Sequence, residues 1–140
     1  MKSVLFACNM NSVRSPMAAA LLKARAGDRL IIDSAGVYEG GPDPFIERVL
    51  AEIGVSLGRC EPKAMRCLDL SRFDLAIALT PEAAAEARRF LPREKIEYWP
   101  IDNPSDTRGS EEDILAAYRA VRDELRARLA ARFPELDQKP

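Results

Sequence analysis

Apolar and polar positions run along this chain in two rhythms. Ser3–Cys8 is apolar after its first residue and stops at Asn9, the pattern of a strand covered on both faces. Pro16–Ala26 changes to helical spacing, with Met17, Ala20, Leu21 and Ala24 as its stripe, Ser15 as expected N-cap and Gly27 as stop. Leu30–Ser34 predicts a second strand and Ala35–Asp43 a loop. Asp43-Pro44 opens a second helix that turns Phe45, Val49, Leu50 and Ile53 inward until Gly54 ends it. Asp74–Leu79 predicts a third strand, Thr80-Pro81 caps an alanine-rich helix to Leu91, and Lys95–Tyr98 is a short fourth strand. Ser110-Glu111-Glu112-Asp113 reads as a capping box with Asp in place of Glu or Gln. Ile114, Tyr118, Val121, Leu125 and Leu129 then mark the packed face of the last helix.

Strands alternating with helices predict an α/β fold: one three-layer domain over 1–140, a four-stranded parallel sheet with helices on both faces. No repeat, low-complexity tract or linker divides it. In such a sheet the ligand site belongs at the carboxyl ends of the strands, which is where Cys8 falls.

Cys8-Asn9-Met10-Asn11-Ser12-Val13-Arg14-Ser15 fills the turn between the first strand and first helix, and is the expected phosphate-binding loop. Backbone N–H groups from Asn9 through Ser15 can converge on a tetrahedral oxyanion while the helix N-terminus adds partial positive charge. Arg14 supplies a planar pair of charged donors that a lysine cannot. Cys8 sits at the focus of that potential, which favours its thiolate. The bland reading is a small buried cysteine closing a strand, with Arg14 on the surface. Ser15 can donate its hydroxyl to the Cys8 thiolate or the leaving phosphoryl group, or simply cap the helix.

Composition narrows the chemistry. Of 140 residues, 21 are basic and 22 acidic, for a net charge of −1, so no strong field draws the chain to nucleic acid or membrane. No apolar run approaches the ~18 residues of a membrane span, and no signal peptide is read at the N-terminus. Three cysteines without an export signal predict reduced thiols in a cytoplasmic protein. Histidine is absent, which removes Ser-His and Cys-His catalysis and leaves no plausible zinc site. No metal or organic cofactor is expected.

Val4 to Leu22 resembles the opening of the low-molecular-weight protein tyrosine phosphatases, a family sharing its fold with one class of arsenate reductases. Asp33-Ser34-Ala35-Gly36 is similar to the family's second loop and Phe73–Leu79 to its central strand. Tyr98-Trp99-Pro100 and Tyr118–Asp123 resemble its acid loop and last helix, all in the family's order. The resemblance implies that Cys8 attacks as nucleophile, Arg14 clamps the phosphate, Asn11 holds a left-handed loop position, and Ser34 buttresses that asparagine.

The resemblance also implies a proton donor, an Asp directly before Pro. This chain reads Trp99-Pro100-Ile101-Asp102-Asn103-Pro104. Asn103 cannot transfer a proton, so the expected acid is Asp102, one residue early, with Asp106 as substitute. The aromatic residues that usually follow are replaced by Ser105 and Asp106, leaving Tyr38, with Glu39, to supply a substrate wall. Met10 stands where glycine is common. Val13 stands where many members carry a second cysteine, so Cys8 lacks a disulfide partner there. In the thioredoxin-coupled reductases the relay pair falls around Thr80 and Ala87. Cys60 and Cys67 precede the central strand and are read as structural thiols, with Lys63 and Arg66 on a solvated face.

The expected function is phosphomonoester hydrolysis through a cysteinyl-phosphate, acting on a phosphotyrosine protein or small phosphomonoester. Inorganic phosphate and other oxyanions are expected inhibitors, and the chain is expected to be a monomer or weak dimer. Two alternatives stay open: a thiol-dependent arsenate reductase, and a non-catalytic phosphate- or phosphopeptide-binding module that kept the cradle and lost the acid.

Overall fold

The computed structural model describes residues 1–10, 13–38, 40–41, 43–58 and 62–137. Its main elements are β1 (Ser3–Cys8), α1 (Arg14–Ala26), β2 (Ile31–Gly36), α2 (Pro44–Ala51), β3 (Leu75–Ala78), α3 (Pro81–Arg88), β4 (Ile96–Tyr98) and α4 (Glu111–Arg132). The strands form a single sheet in the order β2-β1-β3-β4, all neighbours parallel. β1 is central, which is why its sequence shows no polar face. Val4, Phe6 and Cys8 enter a core shared with α1, α2 and α4, while Leu5 and Ala7 enter a second core shared with α3. These are the three layers the alternating pattern predicts. Among the described residues no helix is long and apolar enough to cross a membrane.

Several boundaries differ from the sequence reading. α1 begins at Arg14, so Ser15 lies inside the helix, not at its N-cap; Val13 holds that place without a side-chain hydrogen bond. The first turn closes early because the Met17 N–H bonds the Val13 carbonyl at 3.0 Å, leaving the Ser15 hydroxyl available to the site. Burial on α1 is continuous from Ser15 to Leu22, and Ala24, expected in the stripe, is exposed. β2 runs two residues beyond Ser34, because Ala35 and Gly36 pair with Ala7 and Cys8. β3 is shorter than expected, with Asp74 and Leu79 outside it.

α2 buries Ile46 with Val49 and Leu50, and Phe45 and Ile53 only flank that core. In α4 it is Leu115, not Ile114, that is fully buried beside Tyr118, Val121, Leu125 and Leu129. The capping box forms as read: Ser110 accepts from the Asp113 N–H, and Asp113 returns a bond to the Ser110 N–H. Tyr118 reaches from α4 to donate to Asp43 Oδ2 at 2.7 Å, while Asp43 Oδ1 caps α2 by accepting from the Phe45 N–H.

Candidate active site

β1 delivers Cys8 to the carboxyl edge of the sheet with 2% of its surface exposed. Its sulfur lies 3.0 Å from the hydroxyl oxygen of Ser15, on the first turn of α1. That hydroxyl also reaches the Ala35 carbonyl at 3.3 Å. Ser15 is fully buried, so its hydroxyl serves the thiol and the end of β2 instead of water. The carbonyl of Cys8 accepts the Val37 N–H at 2.9 Å, and that of Asn9 accepts the Tyr38 N–H at 2.8 Å. The start of the loop is therefore stitched to the segment leaving β2.

Gly40 presses on the same loop. A Cβ at Gly40 would fall 2.4 Å from the Met10 carbonyl oxygen, so only glycine allows this approach. On the opposite flank, Thr80 donates its hydroxyl to Asn9 Oδ1 at 2.6 Å. Arg14 turns its guanidinium toward the loop after β4, with Nη1 bonding the Ile101 carbonyl at 3.0 Å. Sequence reading missed Gly40, Thr80 and Ile101, because each is far from the cradle along the chain and carries no motif.

Two hollows flank Arg14. One of about 80 Å³ opens over Cys8 and is lined by Cys8, Met10, Val13, Arg14, Asn103 and Ser105. The other, of about 210 Å³, has Asn9, Arg14, Thr80, Tyr98 and Asp102 in its wall. Asn103 thus faces the space over Cys8, whereas Asp102 is exposed and lines the neighbouring hollow. Asn103 Oδ1 accepts from the Ser105 N–H at 3.1 Å and the Ser105 hydroxyl at 2.7 Å, which fixes the turn that carries both residues.

Cys8, Met10, Val13 and Arg14 line one hollow, with Asn9 and Ser15 beside them. Tyr38, expected as a wall, is 60% exposed and does not line the hollow over Cys8. Ser34 is buried next to the strand pairing, but its expected partner Asn11 lies outside the described residues, as do Ser12, Glu39 and Cys60. Cys67 is exposed on a short 3-10 turn that follows Ala64. Ala64 bridges to Gly36, and Gly36 pairs with Cys8. Two strand spacings put the Ala64 Cα about 10 Å from that of Cys8.

The site supplies a thiol with a hydroxyl partner, a guanidinium, and a small polar opening. That set can hold a tetrahedral oxyanion and attack its central atom. The model of the low molecular weight phosphotyrosine protein phosphatase family matches residues 3–140. An arsenate reductase of Bacillus subtilis (strain 168) is 32% identical over 128 residues, 91% of this chain and 92% of the relative. A crystal structure of arsenate reductase from Archaeoglobus fulgidus DSM 4304 is 30% identical with a TM-score of 0.73, covering 96% of this chain and 99% of that one. A low molecular weight protein tyrosine phosphatase from T. tengcongensis shares the fold at a TM-score of 0.82 and 23% identity, over 96% of this chain and 99% of the other.

Proposed function

From a chain that belongs to the low molecular weight phosphotyrosine protein phosphatase family, we propose a Cys8-dependent enzyme acting on small tetrahedral oxyanions, with thiol-dependent reduction of arsenate as its reaction. The observation that carries this reading is the hollow over Cys8. It is about 80 Å³, and its described lining offers Asn103 and Ser105 where an ester hydrolase would place a proton donor and aromatic walls. Hydrolysing an aryl phosphate calls for an acid to protonate the leaving oxygen. Inorganic arsenate needs neither an aryl slot nor that acid to leave an ester oxygen. The names of the Bacillus subtilis and Archaeoglobus relatives support the same choice.

The thiolate of Cys8 attacks arsenic(V), an As–OH group departs as water with a proton taken from solvent, and a cysteinyl-arsenate forms. Arg14 and the loop amides hold the remaining oxygens, and the Ser15 hydroxyl donates to the sulfur before attack. An external small thiol then attacks the Cys8 sulfur. The S–As bond breaks with its electron pair going to arsenic, which leaves as arsenite, and Cys8 is left in a mixed disulfide. A second thiol restores Cys8 and carries off the oxidised pair. An external thiol as reductant is supported by Val13, which lines the cradle where a resolving cysteine would serve.

Phosphomonoester hydrolysis is the second reading, favoured by the absence of a second cysteine in the described wall of the hollow. In it the same attack gives a cysteinyl-phosphate, water completes the turnover, and Asp102, in the neighbouring hollow beside Arg14, serves as the acid. Arsenite release is measured with arsenate and glutathione, and phenyl phosphate hydrolysis is measured beside it. Arsenite formed by wild type and abolished in Cys8→Ser is the expected result. Phenyl phosphate turnover without arsenite overturns the first reading in favour of the second.

A further inference from the structure

Asn9, the residue directly after Cys8, is gripped from two sides. Its backbone carbonyl accepts the Tyr38 N–H at 2.8 Å, and its side-chain oxygen accepts the Thr80 hydroxyl at 2.6 Å. Thr80 stands between β3 and α3, where its oxygen also accepts the Ala83 N–H at 3.0 Å. The Thr80 hydroxyl thus donates its one proton to the Asn9 amide oxygen while a lone pair accepts from the start of α3. Thr80 is 2% exposed, so water does not compete for either bond.

We propose that Thr80 is a positioning residue: through Asn9 it sets the first peptide of the oxyanion loop against Cys8. The inference rests on Cys8 being the reacting thiol, whichever oxyanion it attacks. The carbonyls of Cys8 and Asn9 are already tied to Val37 and Tyr38 on the β2 side. With only those bonds the loop is hinged along one edge. The Thr80 bond pins the opposite edge, and does so through the side chain adjoining the nucleophile. One threonine between β3 and α3 thus starts that helix and fixes the loop after β1. Sub-ångström errors in such a loop change how its amides meet a bound anion and how they stabilise a thiolate.

Helix capping alone would account for a buried Thr80, so the test has to separate the two roles. Thr80→Val loses both bonds, Thr80→Ser keeps both, and Asn9→Ala removes only the bond to the loop while Thr80 still caps α3. The measurement is the pH profile of Cys8 alkylation by iodoacetamide, which needs no assumption about the natural substrate, together with thermal melting. Thr80→Val and Asn9→Ala are expected to slow alkylation at neutral pH by about tenfold, moving the profile to higher pH. Thr80→Ser restores it. The double variant loses no more than either single one, the non-additivity expected of partners in one bond.

If Thr80→Val lowers the melting temperature and leaves the alkylation profile where it was, Thr80 is a helix cap and the inference is overturned. Should that variant not fold, an unmoved profile in Asn9→Ala overturns it equally. A wild-type Cys8 no more reactive than a free cysteine overturns both the inference and the reading beneath it. A reactive wild-type Cys8 indifferent to both changes overturns the inference alone.

Discussion

The sulfur of Cys8 and the hydroxyl of Ser15 lie 3.0 Å apart in a buried site, and the same hydroxyl reaches the Ala35 carbonyl at 3.3 Å. The hydroxyl proton therefore has a choice. Toward a thiolate it donates to sulfur; beside a neutral thiol it can turn to Ala35 and accept from S–H. Ser15→Ala should slow Cys8 alkylation at neutral pH and lower Cys8-dependent turnover by about tenfold, corresponding to ~1.4 kcal/mol. Stopped-time alkylation and steady-state kinetics check this. Unchanged reactivity would return Ser15 to a packing role.

Asn103 faces the space over Cys8, with its side-chain oxygen already holding the turn through Ser105. An aspartate there keeps that acceptor and adds a titratable group. Asn103→Asp is expected to raise phenyl phosphate hydrolysis more than p-nitrophenyl phosphate hydrolysis, because the poorer leaving group gains more from an acid. A selective loss of phenyl phosphate turnover in Asp102→Asn would instead identify Asp102 as the acid and favour the phosphatase reading.

Gly40 and Met10 approach so closely that one methyl group at Gly40 would meet the Met10 carbonyl oxygen at 2.4 Å. Gly40→Ala must move backbone of the cradle itself. Inhibition by inorganic phosphate should weaken by about tenfold or more while the fold survives, a displacement of the anion-holding loop being costly out of proportion to its size. Phosphate titration and circular dichroism together decide it. Unaltered phosphate affinity would mean the loop is not pinned from that side.

How far the sequence carried the structure differs by level. β1 is legible to the residue because a central parallel strand has no polar face to blur its ends. The α4 capping box is legible because its two bonds are local. The start of α1 misleads because Ser15 looks like a cap and is instead engaged by the thiol. Cys8, Arg14 and Ser15 were readable from spacing within eight residues. Asn103 facing Cys8, Ile101 holding Arg14 and Thr80 holding Asn9 were not, since only the packing of β3 and β4 beside β1 brings them there. The preference for phosphotyrosine followed family pattern, and no aromatic side chain stands in the described lining of the hollow.

Glu52, just past α2, is held down to about 2 from its ordinary 4.5, chiefly by hydrogen bonds from Arg119, against desolvation and with help from Arg122. A carboxylate depressed in the folded state stabilises above its unfolded pKa and loses that contribution as pH falls. Glu52→Gln should therefore melt below wild type above pH 4.5, with the gap narrowing between about pH 4.5 and 2. Melting curves of both proteins across that range test it. A gap that widens on acidification would contradict the pairing.

The central place of β1 has a consequence for how the protein comes into being. Cys8 is synthesised before the residues that surround it: Val37 and Tyr38, then Thr80, then Ile101. Chains emerge N-terminus first. Until the stretch through Ile101 has left the ribosome, the set of contacts around the loop that follows β1 is incomplete. The surroundings of the sulfur at position 8 are thus finished only once the chain has been made past β4.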